Sequence, residues 1–180
     1  MLIKPPRVSE LNVNIPRSLL PWVIHQEALT EKLKQSAGDA QLTILNQNWM
    51  TSGWWDNHVL GLDRQVILQR EILMSAGEHA CWYARTIIPQ STYHIHKPIF
   101  NRLNHESLGD IIFSEPRIKR YSMINYAITP QCIEYHWLKP VFCDEDCRLW
   151  TRLAIFTIDN DSPFFLIEIL LPDLYRYCHE

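Results

Sequence analysis

The sequence predicts an α+β domain built on an antiparallel sheet, and three observations carry that expectation. Strand-like runs follow one another without a helix between most of them, while helix-like segments gather in two places. Two of the connections have hairpin length and turn chemistry: Ser75-Ala76-Gly77-Glu78-His79, and the quartet Asp159-Asn160-Asp161-Ser162. At 180 residues the chain is long enough for one domain with a proper core.

Taken in order, residues 1–16 are rich in Pro and Arg and read as an extended N-terminal arm. From Ser18 to Ala37 the apolar spacing turns helical, through Leu19, Leu20, Val23, Ile24, Leu29 and Leu33. Thr30 has helix-start character and Gly38 is a natural stop, so two short helices, or one broken near His25 to Ala28, open the domain. Strand signals then cover Gln41 to Met50 weakly, and Arg64 to Met74 and Ala80 to Pro89 more clearly. Lys97 to Leu103 and Glu106 to Phe113 read as two short helical turns. Further strands are expected over Lys119 to Thr129, Gln131 to Leu138, Arg148 to Ile158 and Pro163 to Leu171. A single domain thus spans 17–175, and 176–180 are expected to form a frayed tail.

Composition excludes several classes of function. A formal net charge of -3 argues against nucleic-acid binding through a broad basic surface. No run of eighteen apolar residues occurs, so no membrane span is expected, and the N-terminus lacks the pattern of a secretory signal. The five cysteines, Cys81, Cys132, Cys143, Cys147 and Cys178, share no repeated spacing and read as reduced thiols of a cytoplasmic protein. Cys143-x3-Cys147 and His94-x-His96 lack further ligands at matching spacing, so no metal is expected. Phosphate-cradling glycine motifs and a nucleophile elbow are both absent.

Charges on apolar strand faces are the more informative signal. In QVILQREILM, alternation places Arg70 with Val66, Leu68, Ile72 and Met74, and leaves Gln69 and Glu71 on the wetter face. In FLIEILLP, Glu168 shares a face with Phe164, Leu166 and Leu170. Arg and Glu are rarely buried unless paired. Two readings follow. In one, Arg70 and Glu168 form a buried ion pair of small net stabilising value, because desolvation offsets the Coulomb gain. In the other, they face an internal cavity, where Arg70 grips an acidic ligand and Glu168 addresses its other end. Arg85 shares a mostly apolar face with Cys81, Tyr83 and Ile87, and is read either as a third site residue or as a snorkelling side chain at a sheet margin.

Four stretches, QREILM, YARTIIPQST, SLGDIIF and IEILLP, occur in an order and spacing that resemble the chorismate pyruvate-lyase family from about Leu19 to Pro172. EALTEKLKQ fits that family's helical segment. Ala84 stands where the family often has Gly, Leu29 where some members have Met, and the loop Pro140 to Asp146 is longer and more acidic. The resemblance implies a six-stranded antiparallel sheet with helices on one face and an internal ligand site under helical flaps. It implies that Arg70 and the Leu108 backbone N–H bind the ring carboxylate of chorismate, that Glu168 and the Leu29 backbone meet the ring hydroxyl, and that Arg85 helps to guide or hold the second carboxylate. Glu168 and Arg70 would be the catalytic residues. No cofactor or metal is implied, and the expected activity is loss of pyruvate from chorismate to give 4-hydroxybenzoate, towards ubiquinone, in a monomer. The rival expectation is a non-catalytic domain of the same fold that binds small aromatic acids, as in the effector domains of some bacterial regulators.

Overall fold

The structure, a computed structural model, describes residues 15–138 and 147–178. The expected arm falls almost wholly outside the described residues, as do Cys143 and the acidic loop before Cys147. Six antiparallel strands form one sheet: β1 (Gln41–Thr51), β2 (Val66–Ala76), β3 (His79–Pro89), β4 (Ile118–Ile128), β5 (Leu149–Ile158) and β6 (Ser162–Leu170). Their order across the sheet is β1-β2-β3-β6-β5-β4. Both hairpins follow from local chemistry. Gly77, at φ 55, takes the left-handed conformation that a two-residue connection between Ala76 and His79 requires. Asp159 and Asn160 take it between β5 and β6, as residues that tolerate positive φ.

Three register shifts place side chains where alternation alone does not. Leu45 is the extra residue in β1 and explains its weak pattern; Tyr121 is extra in β4. In β3 the shift lies opposite Met74 and Ser75, so Cys81 is left over and every residue beyond it moves along by one.

Two groups of helices cover one face. The first is α1 (Leu20–Val23), with Pro21 in its first turn, followed by α2 (Leu29–Ala37), which ends on Gly38 at φ 82. The helix start is Ala28 rather than Thr30, because the chain leaves the extended conformation there. The second group is α4 (Gln90–Ile95), α5 (Lys97–Phe100) and α6 (Leu108–Ser114), with α6 capped by the Ser107 hydroxyl accepting from Asp110 N. The reverse face is covered too, by α3 (Trp54–His58) and by a 3-10 turn over Ile133–Trp137. The expected strand over Gln131 to Leu138 is that turn instead. Its Tyr135 and Trp137 pack on the reverse-face core, and Glu134 is buried against the Tyr126 hydroxyl. A last 3-10 turn, Pro172–Tyr177, buries Leu174 and lets Tyr177 donate to Ala76 O, so the tail expected from 176 packs against β3 as far as Cys178.

No helix among the described residues is long and apolar enough to cross a membrane. No cluster of three or more His, Cys, Asp or Glu able to hold a metal occurs among them.

Candidate active site

The centre of the helix-covered face is recessed because its residues are small. Ala84 and Thr86 on β3 and Ala154 on β5 stand between the bulky Trp82, Ile72 and Phe156. Two helix starts roof the recess. Residues Glu27 to Thr30 bring in the N-terminus of α2, and Ser107 to Gly109 bring in that of α6. Gly109 lets them meet, since a Cβ there would lie 3.3 Å from the Cβ of Ala28. The cavity beneath them measures about 50 Å³. Leu29 and Leu108 are each the first residue of their helix, where backbone N–H groups have no intrahelical acceptor. Both helix starts turn their positive ends towards the space between them.

Arg70 projects from β2 into this cavity and is 2% exposed. One Nη donates to Leu103 O at 3.4 Å, and the buried Nε has no partner. No acid lies within ion-pair distance of it among the described residues. Burial alone lowers its pKa from the ordinary arginine value. A guanidinium in that condition is a charge waiting for an anion.

Glu168 also lines the cavity, from β6, but its partner is not Arg70. Arg152 on β5 stands directly opposite it, with Nε 3.3 Å from the carboxylate. The Nη groups of Arg152 donate to Trp22 O and His25 O, each at 3.0 Å, fastening the end of α1 to the sheet. Of the two readings of Arg70 and Glu168, the mutual ion pair does not form: Glu168 pairs with Arg152, and Arg70 faces the cavity without an acid. Arg120 on β4 lines the cavity as well, donating to Gln26 Oε1 at 2.8 Å and to Gln26 O. Its pKa is lowered by burial and by the neighbouring Arg152. Burial also lowers the pKa of His25, with Lys32 and Arg152 adding to the effect.

Arg85 is not in this cavity. Beyond the Cys81 bulge it falls opposite Glu71, on the reverse face, with Nη2 2.6 Å from Glu71 Oε1. It also donates to the Tyr83 hydroxyl at 3.2 Å and lies 3.7 Å from the centroid of the Trp137 ring. Among the expected site residues the structure thus brings Leu29, Arg70, Leu108 and Glu168 together, and removes Arg85. Sequence reasoning missed Arg120 and Arg152. Arg152 was within reach, because it interrupts the apolar face of Trp150, Ala154 and Phe156 as Arg70 does its own, and simple pairing outward from the β5–β6 turn sets it against Glu168.

A recess on an antiparallel sheet, holding a buried guanidinium without an acid beneath two helix starts, is a candidate small-molecule site in an α+β domain. Comparison with known proteins narrows this: the chain belongs to the chorismate lyase family, whose model matches residues 7–179. It is 27% identical over 162 residues to a probable chorismate pyruvate-lyase of Psychromonas ingrahamii, covering 86% of this chain and 83% of that one. It is 25% identical over 169 residues to one of Nitrosomonas eutropha, covering 91% and 92%. Among solved structures, PhnF from Mycobacterium smegmatis is similar with a TM-score of 0.60 at 18% identity, over 83% of this chain and 66% of that chain. The effector domain of the same protein matches with a TM-score of 0.57 at 18% identity, over 82% and 90%. At such identities the likeness concerns the fold alone.

Proposed function

We propose that this chain eliminates pyruvate from chorismate to give 4-hydroxybenzoate, as the first committed step towards ubiquinone, in a cytoplasmic monomer. The observation that carries the reading is Arg70, buried without a counter-anion on the floor of the roofed cavity, with one carboxylate, Glu168, further along that floor. Chorismate places a ring carboxylate and a ring hydroxyl at opposite ends of a six-membered ring. Arg70 and the Leu108 N–H take the carboxylate; Glu168 and the Leu29 backbone take the hydroxyl.

The reaction breaks the C–H bond at the hydroxyl-bearing carbon and the C–O bond to the neighbouring enolpyruvyl ether. The C–H electrons enter the ring, which becomes aromatic, and the proton ends on the departing three-carbon acid, which leaves as pyruvate. Atoms balance without an oxidant or a co-reactant. Aromatisation drives the reaction, so the site has mainly to orient the ring and offset developing charge on the leaving oxygen. Glu168, steadied by Arg152, holds the hydroxyl and with it the adjacent C–H in a fixed position.

Purified protein incubated with chorismate, without added metal, is expected to release 4-hydroxybenzoate and pyruvate in equal amounts. No release, together with a rise in melting temperature on adding 4-hydroxybenzoate, would replace the lyase with a binding domain for aromatic acids.

A further inference from the structure

We infer that Arg120 receives the second carboxylate of the substrate, the acid of the enolpyruvyl group, and so separates substrate from product. This rests on the lyase reading above. Chorismate is a dicarboxylate, and its enolpyruvyl group is attached beside the hydroxyl, on the far side of the ring from the first acid. With that first acid on Arg70 and the hydroxyl on Glu168, the second acid needs a cation beyond Glu168. Arg85 cannot supply it, since it stands on the reverse face and is paired with Glu71. Arg152 lines the cavity, but its guanidinium is already divided among Glu168, Trp22 O and His25 O.

Arg120 is the remaining cation of the cavity wall among the described residues. Across the sheet, Arg70 on β2 and Arg120 on β4 approach from opposite ends, with Glu168 on β6 between them. The guanidinium of Arg120 lies 5.6 Å from the centroid of the Phe156 ring, and its Nε is buried without a partner. Its two other contacts are neutral, the side-chain and backbone oxygens of Gln26. The charge is therefore uncompensated by any ion pair of its own, beside a second guanidinium on Arg152. A carboxylate bonded to the free Nε, and to an Nη released by the Gln26 side chain, would satisfy both deficits. Elimination carries that carboxylate away with pyruvate, so 4-hydroxybenzoate never engages Arg120.

The test compares the KM for chorismate with the Kd for 4-hydroxybenzoate in the wild type, Arg120→Gln, Arg120→Lys and Gln26→Ala. Arg120→Gln is expected to raise the KM on the order of 30-fold or more, while 4-hydroxybenzoate binds within about twofold of wild type. Arg120→Lys should show the same split, smaller, and covers the case in which the glutamine variant fails to fold. An unchanged KM, or an equal loss of affinity for both ligands, would overturn the assignment. So would a Gln26→Ala variant that reproduced the full effect, since Arg120 would then act only by holding the α1–α2 connection. If the wild type binds chorismate without converting it, the lyase reading fails, and the same comparison made with the Kd for chorismate still decides the role of Arg120.

Discussion

Two arginine–glutamate pairs lie back to back on this sheet, and they differ in how completely their charges are answered. On the reverse face, Glu71 Oε1 accepts from Arg85 Nη2 and from the Tyr83 hydroxyl, each at 2.6 Å, and Arg85 stacks on Trp137. That network is closed on itself. On the helix-covered face, Arg152 holds Glu168 at the longer distance of 3.3 Å, while Arg70 and Arg120 stand nearby with no acid of their own. Three cations, Arg70, Arg120 and Arg152, line the cavity against two carboxylates, Glu168 on the floor and Glu27 on the roof, and leave a positive excess there. A satisfied buried network fixes packing, whereas an unsatisfied one beside a cavity is the mark of a site. The same residue types therefore close an ion-pair network on one face and, on the other, leave two guanidinium groups without an acid beside a cavity, as the proposed function requires.

Exchanging each arginine for an apolar side chain should separate the two faces. Arg70→Met is expected to lower kcat/KM for chorismate on the order of 1000-fold. Its melting temperature should hold or rise, because a buried cation with no counter-charge opposes folding. Arg85→Met should do the reverse. It strands Glu71 without its partner and removes the stacking on Trp137, for a loss of about 2–3 kcal/mol, or roughly 5–10 °C in melting temperature. The KM for chorismate should stay within about twofold of wild type. A rise in KM as large as that for Arg70→Met would return Arg85 to the site and erase the contrast between the faces.

That contrast also shows what the sequence could reveal. Alternation alone put Arg70 and Glu168 on apolar faces, and the structure places both in the cavity wall. The β5–β6 hairpin is unbroken from Ile158 and Ser162 to Trp150 and Leu170, so its pairing could be counted outward from the turn, and Arg152 against Glu168 was legible there. The β2–β3 hairpin is different. Paired without interruption, it would set Arg85 against Arg70 on the site face; the single extra residue at Cys81 sets it against Glu71 instead. A one-residue slip exchanges the two faces of a strand, and nothing in the local composition announces it. The reverse face was misread for a related reason. Gln69 and Glu71 look like a solvated edge, but Trp55 and Trp137, from distant α3 and the 3-10 turn, cover that side. Arg120 lies in β4 next to the Tyr121 bulge, where the alternation that would have flagged it is interrupted.

The smallest expected effect concerns acid stability, and it belongs to the reverse face. Burial acts to raise the pKa of Glu71, yet the Tyr83 hydroxyl and Arg85 outweigh it, so the carboxyl titrates below the ordinary glutamate range. A carboxyl depressed by folding binds fewer protons in the native state than in the unfolded chain. Its contribution is fully present above the unfolded value of 4.5 and is lost as the pH falls through the folded one. Asp56, on the same face, has the opposite sign. Burial raises its pKa despite the Gly53 N–H and Arg85, so its contribution is greatest when protonated and is lost as the pH rises from 3.8 through the folded value. Urea denaturation between pH 6 and about 3 should therefore show wild-type stability falling below about pH 4.5. Glu71→Gln should flatten that fall, and Asp56→Asn should steepen it by removing the opposing contribution. If Glu71→Gln leaves the slope unchanged, the reverse-face network does not hold its charge as the geometry requires.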